Sequence, residues 1–309
     1  MLFRSPGASY EKLRDQVLDR YGYHRAVLTH DLGQYATNLN PYFTEAICRA
    51  VNDWNIATWL TYDERLYGLA IAPIGNPEQA AAELYRVGKH ERIVGLLICG
   101  NPLGRPLGDP IFDPVWKACA DLGLAVSVHP ISSDRPNSQI TSVGGPKAYP
   151  EAQSQFSQQA QHYIASLVVH GTFEKFPSLK FVVKEYGVAW LPYLMWRLDQ
   201  NYDVLKHESP WVKRWPSEYI RSNVKLSTQP FEESPDGKGL VADFLGQVDG
   251  IEDLLCFSSD YPHYSMDDPT HVARLLPAAW HRKIFCENAC ASYGWPVPAQ
   301  KAPVTAQAV

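Results

Sequence analysis

No apolar run in this sequence approaches the roughly 20 residues that a bilayer-spanning helix needs, so no transmembrane segment is expected. The residues from Met1 to Gly7 hold no apolar core of the kind a secretory signal carries, and the cytoplasm is the expected location. A basic excess is also missing. The 28 Lys and Arg are outnumbered by 33 Asp and Glu, and they are scattered, so binding to a phosphate backbone has no basis and nucleic acid is not an expected partner. None of the six cysteines, Cys48, Cys99, Cys119, Cys256, Cys286 and Cys290, forms a C-x-x-C pair, which argues against a zinc ribbon or a thioredoxin-like site. Most lie in apolar runs and read as reduced core thiols. No glycine-rich phosphate loop follows any strand, so a dinucleotide-binding enzyme has little support. G-x-S-x-G and H-E-x-x-H are both absent, which disfavours a serine hydrolase and a zincin. No repeat, low-complexity tract or linker divides the chain.

What is present is a 309-residue chain of ordinary globular composition, 45% hydrophobic and 20% charged, long enough to bury one large core. Short β-type runs alternate with helical patterns, which predicts a parallel α/β architecture. Seven runs read as strands: Ala26–Thr29, Leu66–Ala72, Ile93–Cys99, Leu124–His129, Leu179–Lys184, Val224–Ser227 and Leu254–Ser258. The spacing predicts helices over 10–21, 41–60, 77–87, 110–122, 154–176, 188–205, 240–247, 269–276 and 279–292. Pro41 and Pro77 suit first helical turns, and Gly123 suits a helix C′ position. Residues 131–152, rich in Ser, Pro and Gly, read as a long loop of the kind that often carries specificity. The segment from Pro296 reads as a loose tail, after a barrel domain over 1–295. Seven parallel strands fit either a (β/α) barrel or an open doubly wound sheet.

In a barrel, reacting groups stand where strands end. Three ends here carry suitable side chains. His129 offers an imidazole for a divalent metal, although a histidine there can equally be a hydrogen-bonded structural residue. Asp260 offers a carboxylate able to bind metal or move a proton, or simply to shape the turn before Tyr261 and Pro262. Glu185 closes an apolar strand before Gly187, where pairing with a cation is the plain alternative. His263, three residues past Asp260, can polarise a substrate carboxylate, act as acid or base, or cap the next segment. His170 reads as structural, and the nine Trp and seventeen Tyr mostly as packing.

The strand-end segment Ser258 to His263 resembles the eighth-strand motif of the amidohydrolase-related family, which includes aminocarboxymuconate semialdehyde decarboxylase and related aromatic acid decarboxylases. Ser127 to Pro130 resembles its fifth-strand histidine motif. Phe173 to Phe181 resembles the entry to strand six, with Glu185 to Tyr193 following. Glu287 to Ala289, then Tyr293 and Gly294, resemble the closing helix. The resemblance runs from about Tyr21 to Gly294. It implies a TIM-like (β/α) barrel, and one divalent metal, zinc or manganese, with His129 and Asp260 as ligands. Asp260 or a metal-bound water would then move the proton, Glu185 and His263 are the candidates for proton transfer and substrate contact, and the substrate would be small, carboxylated, and aromatic or unsaturated. The reaction would be non-oxidative decarboxylation or hydrolysis. Family members are often dimeric, so a homodimer is the expectation it carries.

Two departures stand out. Where the muconate decarboxylase has a histidine at the end of strand six, this chain has Glu185. No H-x-H occurs anywhere, and His24 and His30 do not reproduce its spacing. Tyr21 to Thr29 matches the family's second strand, so the first strand and its two metal ligands are expected to be missing. The expectations that follow are a start upstream of Met1 or an incomplete barrel that binds a ligand or partner without catalysis.

Overall fold

The computed structural model describes residues 9–29, 40–101, 103–130, 146–234, 236 and 239–299. His30 and residues 131–145 of the long loop lie outside the described residues. All seven expected strands form: β1 (Ala26–Leu28), β2 (Leu66–Ile71), β3 (Ile93–Cys99), β4 (Ala125–His129), β5 (Phe181–Val183), β6 (Val224–Ser227) and β7 (Leu255–Cys256). They pair in parallel in chain order, β1 to β7. A doubly wound sheet reverses its order at a switch point, and this one does not. Helices connect the strands, so the fold is the α/β architecture of a TIM-like barrel. Among the described residues β1 pairs only with β2 and β7 only with β6, which leaves a curled half-barrel.

The alternation of side chains assigns the two faces. On β3, Ile93, Leu96 and Ile98 join the large core beneath the helices, while Val94, Leu97 and Cys99 face the concave side. Both faces are covered, so β3 is an unbroken buried apolar run. Register then stacks the concave residues in layers. Leu97, Ser127, Val182 and Lys225 form one. Cys99 pairs with His129 and Ser227 with Cys256 in the layer above, nearer the mouth.

The open edge of β2 is sealed by a side chain. Pairing with β1 ends at Gly68. Beyond it the buried Asn52, on the helix Pro41–Ala57, accepts from the Ile71 amide and donates to its carbonyl, each at 2.9 Å. Its amide also reaches Glu83 at 2.7 Å. One carboxamide thus does the work of a neighbouring strand. At the other end, Asn288 donates to the carbonyls of Glu252 and Leu255, both at 2.7 Å, and ties the closing helix Asn288–Tyr293 to β7.

Several helix limits differ from the sequence expectation. The helix expected at 154–176 begins at Tyr149, because Glu151 accepts from the Lys147 and Ala148 amides, and ends at Val169. Gly171, at φ 73°, turns the chain into the short helix Thr172–Lys175. The next helix starts at Leu191 rather than Val188. Gly123 takes the left-handed C′ position expected of it, at φ 67°. Past the last helix, Trp295 packs at a tilt against Tyr67 with centroids 4.6 Å apart, and the Arg25 guanidinium lies over its ring at 5.1 Å. The segment expected to be loose therefore begins anchored, with Arg25 also donating to the Pro296 carbonyl at 3.4 Å. No helix among the described residues is long and apolar enough to cross a membrane.

Candidate active site

Two non-glycine residues among those described have positive φ, Glu185 at 64° and Asp260 at 56°. Each follows a strand, β5 or β7. Such backbone costs about 1–3 kcal/mol and persists only where the surroundings enforce it. Here it turns both carboxylates in over the mouth of the sheet. Behind Glu185 the enforcing group is Glu232, whose carboxylate accepts from the Val188 amide at 2.9 and 3.1 Å. Gly187, at φ 71°, makes room for it; a Cβ there would overlap the Glu232 carboxylate.

Around the two carboxylates stand two histidines. His129 Nε2 lies 2.8 Å from Glu185 Oε2, and its Nδ1 lies 2.7 Å from the Pro130 carbonyl. A carbonyl only accepts, so Nδ1 carries a proton and Nε2 is the atom offered to Glu185. His263 Nδ1 lies 2.9 Å from Asp260 Oδ1 and 3.9 Å from Glu185 Oε1. Asp260 Oδ2 accepts from Gln229 Nε2 at 3.2 Å and Ser265 Oγ at 3.1 Å. Ligand atoms of Glu185, Asp260 and His263 all lie within 4.8 Å of one another. His129 joins this group through Glu185.

The electrostatics follow from crowding. Burial opposes charge on His129, but its contacts with Cys99 and Glu185 outweigh that and raise it to about 10. Burial works against Glu185 too, yet His129 and then Asp260 and His263 hold it below the usual range. Asp260 takes the opposite course: burial, then the Glu185 charge, push it up to about 7. Two carboxylates at such a distance share poorly unless a cation or a proton lies between them.

One more charged group sits beneath. The Lys184 amide donates to the Val128 carbonyl at 2.9 Å, extending the β4–β5 ladder by one residue. Phe181 and Val183 pack on the helix side, so Lys184 faces the concave side. It joins the layer of Cys99, His129, Ser227 and Cys256. Burial lowers its ammonium to about 8, with Cys256 and Cys99 as its electrostatic neighbours.

Of the residues singled out from sequence, Glu185, Asp260, His263 and His129 are brought together. His170 caps the helix Tyr149–Val169, away from this cluster, and His24 is exposed. Gln229, Ser265, Glu232, Cys99 and Lys184 were missed. The strand-end rule that found Glu185 would have found Gln229, two residues past β6.

The sequence profile of the amidohydrolase family matches residues 4–295. The chain belongs to the amidohydrolase family. This amidohydrolase is 24% identical over 287 residues to the gamma-resorcylate decarboxylase of Polaromonas sp. strain JS666, covering 85% of this chain and 83% of the relative. Its fold is similar to that of an amidohydrolase from Mycobacterium avium subsp. paratuberculosis K-10, with TM-score 0.76 and 25% identity over 94% of this chain and 75% of the other. It is also similar to a dihydroxybenzoic acid decarboxylase from Polaromonas, determined with manganese and the inhibitor 2-nitroresorcinol. That match has TM-score 0.69 and 23% identity, covering 93% of this chain and 86% of that one.

Proposed function

We propose that this amidohydrolase is a metal-dependent, non-oxidative decarboxylase of a small aromatic carboxylate. The convergence of Glu185, Asp260 and His263 at the mouth of the half-barrel carries the reading. Its curated relatives include gamma-resorcylate decarboxylases, and one similar structure holds manganese. The donor set fits a divalent cation: two carboxylates held close together against their mutual repulsion, and an imidazole within reach. Glu185, Asp260 and His263 would hold the ion, with His129 beside Glu185 as a further donor. Three protein ligands suffice for a catalytic site, so the missing H-x-H is not fatal to it. Carboxylate and imidazole suit manganese or zinc. When bound, the ion would supply Lewis-acid polarisation of substrate oxygens.

The chain's own residues do the rest. Asp260 is the proton donor, to the ring carbon that bears the carboxylate. The carbon–carbon bond then breaks, its electron pair returns to the ring, and carbon dioxide leaves. Asp260 ends ionised and regains its proton from water. Gln229 and Ser265 fix its Oδ2, which leaves Oδ1 and His263 on the reacting side. The six cysteines are unbridged, which supports work in the reducing cytoplasm.

Manganese-loaded protein should release carbon dioxide from members of a hydroxybenzoate panel that includes gamma-resorcylate. Asp260→Asn should lower that rate by at least about 10²-fold, since it removes a positioned acid and an ion ligand together. A folded, loaded protein that releases none from any of the panel would overturn the reading.

A further inference from the structure

Lys184 is a half-buried cation that meets no anion among the described residues. Its neighbours in the layer, Cys99, His129, Ser227 and Cys256, include no carboxylate. Among the described residues it makes no ion pair and no side-chain hydrogen bond, and a second lysine, Lys225, lies one layer deeper. Glu185 follows it in sequence, but the left-handed backbone at Glu185 sends that carboxylate to His129 and His263 instead. An ammonium held out of water without a partner destabilises the fold, and an anion brought in from outside offsets that cost. Lys184 is half-buried as a residue.

The proposed reaction says what that anion is. A substrate carboxylate brings a negative charge into the site. Lys184 is the cation in the same layer as His129, placed to offset it.

We propose that Lys184 is the anion-binding residue of this site and selects substrates that carry a carboxylate. This rests on the decarboxylase reading for the identity of the anion, and on the burial of Lys184 for its existence. It makes Lys184 a specificity residue, because a neutral phenol gains nothing from an ammonium that a benzoate needs.

The test is calorimetric binding of 2,6-dihydroxybenzoate and of resorcinol, its neutral counterpart, to manganese-loaded wild type, Lys184→Gln and Lys184→Met. The acid should bind at least tenfold more weakly to both variants, with resorcinol affinity and manganese content unchanged. Because the substitutions remove an unpaired charge, thermal midpoints should stay level or rise, and Lys184→Arg should keep most of the preference for the acid. Equal affinity of wild type and variants for the acid would overturn the assignment. So would a folded, loaded wild type that binds no aromatic acid. Lys184-dependent binding with no carbon dioxide released would uphold the assignment and sink the decarboxylase reading. Release indifferent to Lys184 would do the reverse.

Discussion

Asp260 is the residue whose chemistry depends most on its neighbours. An isolated aspartate ionises near 3.9, and here burial and the Glu185 charge raise it to about 7. The folded, metal-free chain therefore binds more protons than the unfolded chain between those two values. Stability contributed by Asp260 is thus present at the acidic end of the window and falls as pH rises through it. Each pKa unit is about 1.4 kcal/mol, so the effect is on the order of a few kcal/mol across the window. Asp260→Asn should remove that slope from metal-free protein, and Glu185→Gln should lower the Asp260 titration point itself, as read by carboxyl NMR. An unchanged Asp260 titration in Glu185→Gln would show that the two carboxylates are not coupled. At this scale the sequence was informative about type and place. A carboxylate or histidine just past an apolar strand is visible in a row of letters. Lys184 was not, because its meaning depends on which side of β5 it faces and on what the adjoining strands put beside it.

At the scale of elements, the strands were legible and the seals between them were not. All seven strands sit within a residue or two of the expected runs, since buried parallel strands are short, apolar and bounded by turn residues. Helix ends drifted further, because caps such as Glu151 on the Lys147 amide act across several positions. Asn52 was invisible for another reason: an asparagine inside an amphipathic helix looks like a solvent-facing residue. In the fold it is buried and satisfies both backbone groups of Ile71. Asn52→Ala strands those two groups, at about 1–3 kcal/mol for each buried group left unsatisfied, while Glu83 keeps its paired bonds to Arg86. It should lower stability by roughly 2–4 kcal/mol in chemical denaturation. A loss below about 0.5 kcal/mol, the usual range for surface substitutions, would mean that the β2 edge is sealed in another way.

The whole molecule is a barrel architecture with two strands, β1 and β7, unpaired on their outer sides among the described residues. The sequence announced this through the missing H-x-H and the match of Tyr21 to Thr29 with a second strand. It did not announce that the donors of later strands would still converge. They do so because Glu185 and Asp260 both leave the sheet through left-handed backbone, which no motif encodes. The account stands or falls on whether that convergence binds a metal. The decisive measurement is metal content by mass spectrometry after the purified chain is loaded with manganese and passed into metal-free buffer, for wild type, Glu185→Gln and Asp260→Asn. The account predicts about one ion per wild-type chain and a marked loss in both variants, with all three proteins folded. A folded wild type that retains no ion and takes up none on titration with manganese or zinc would contradict it.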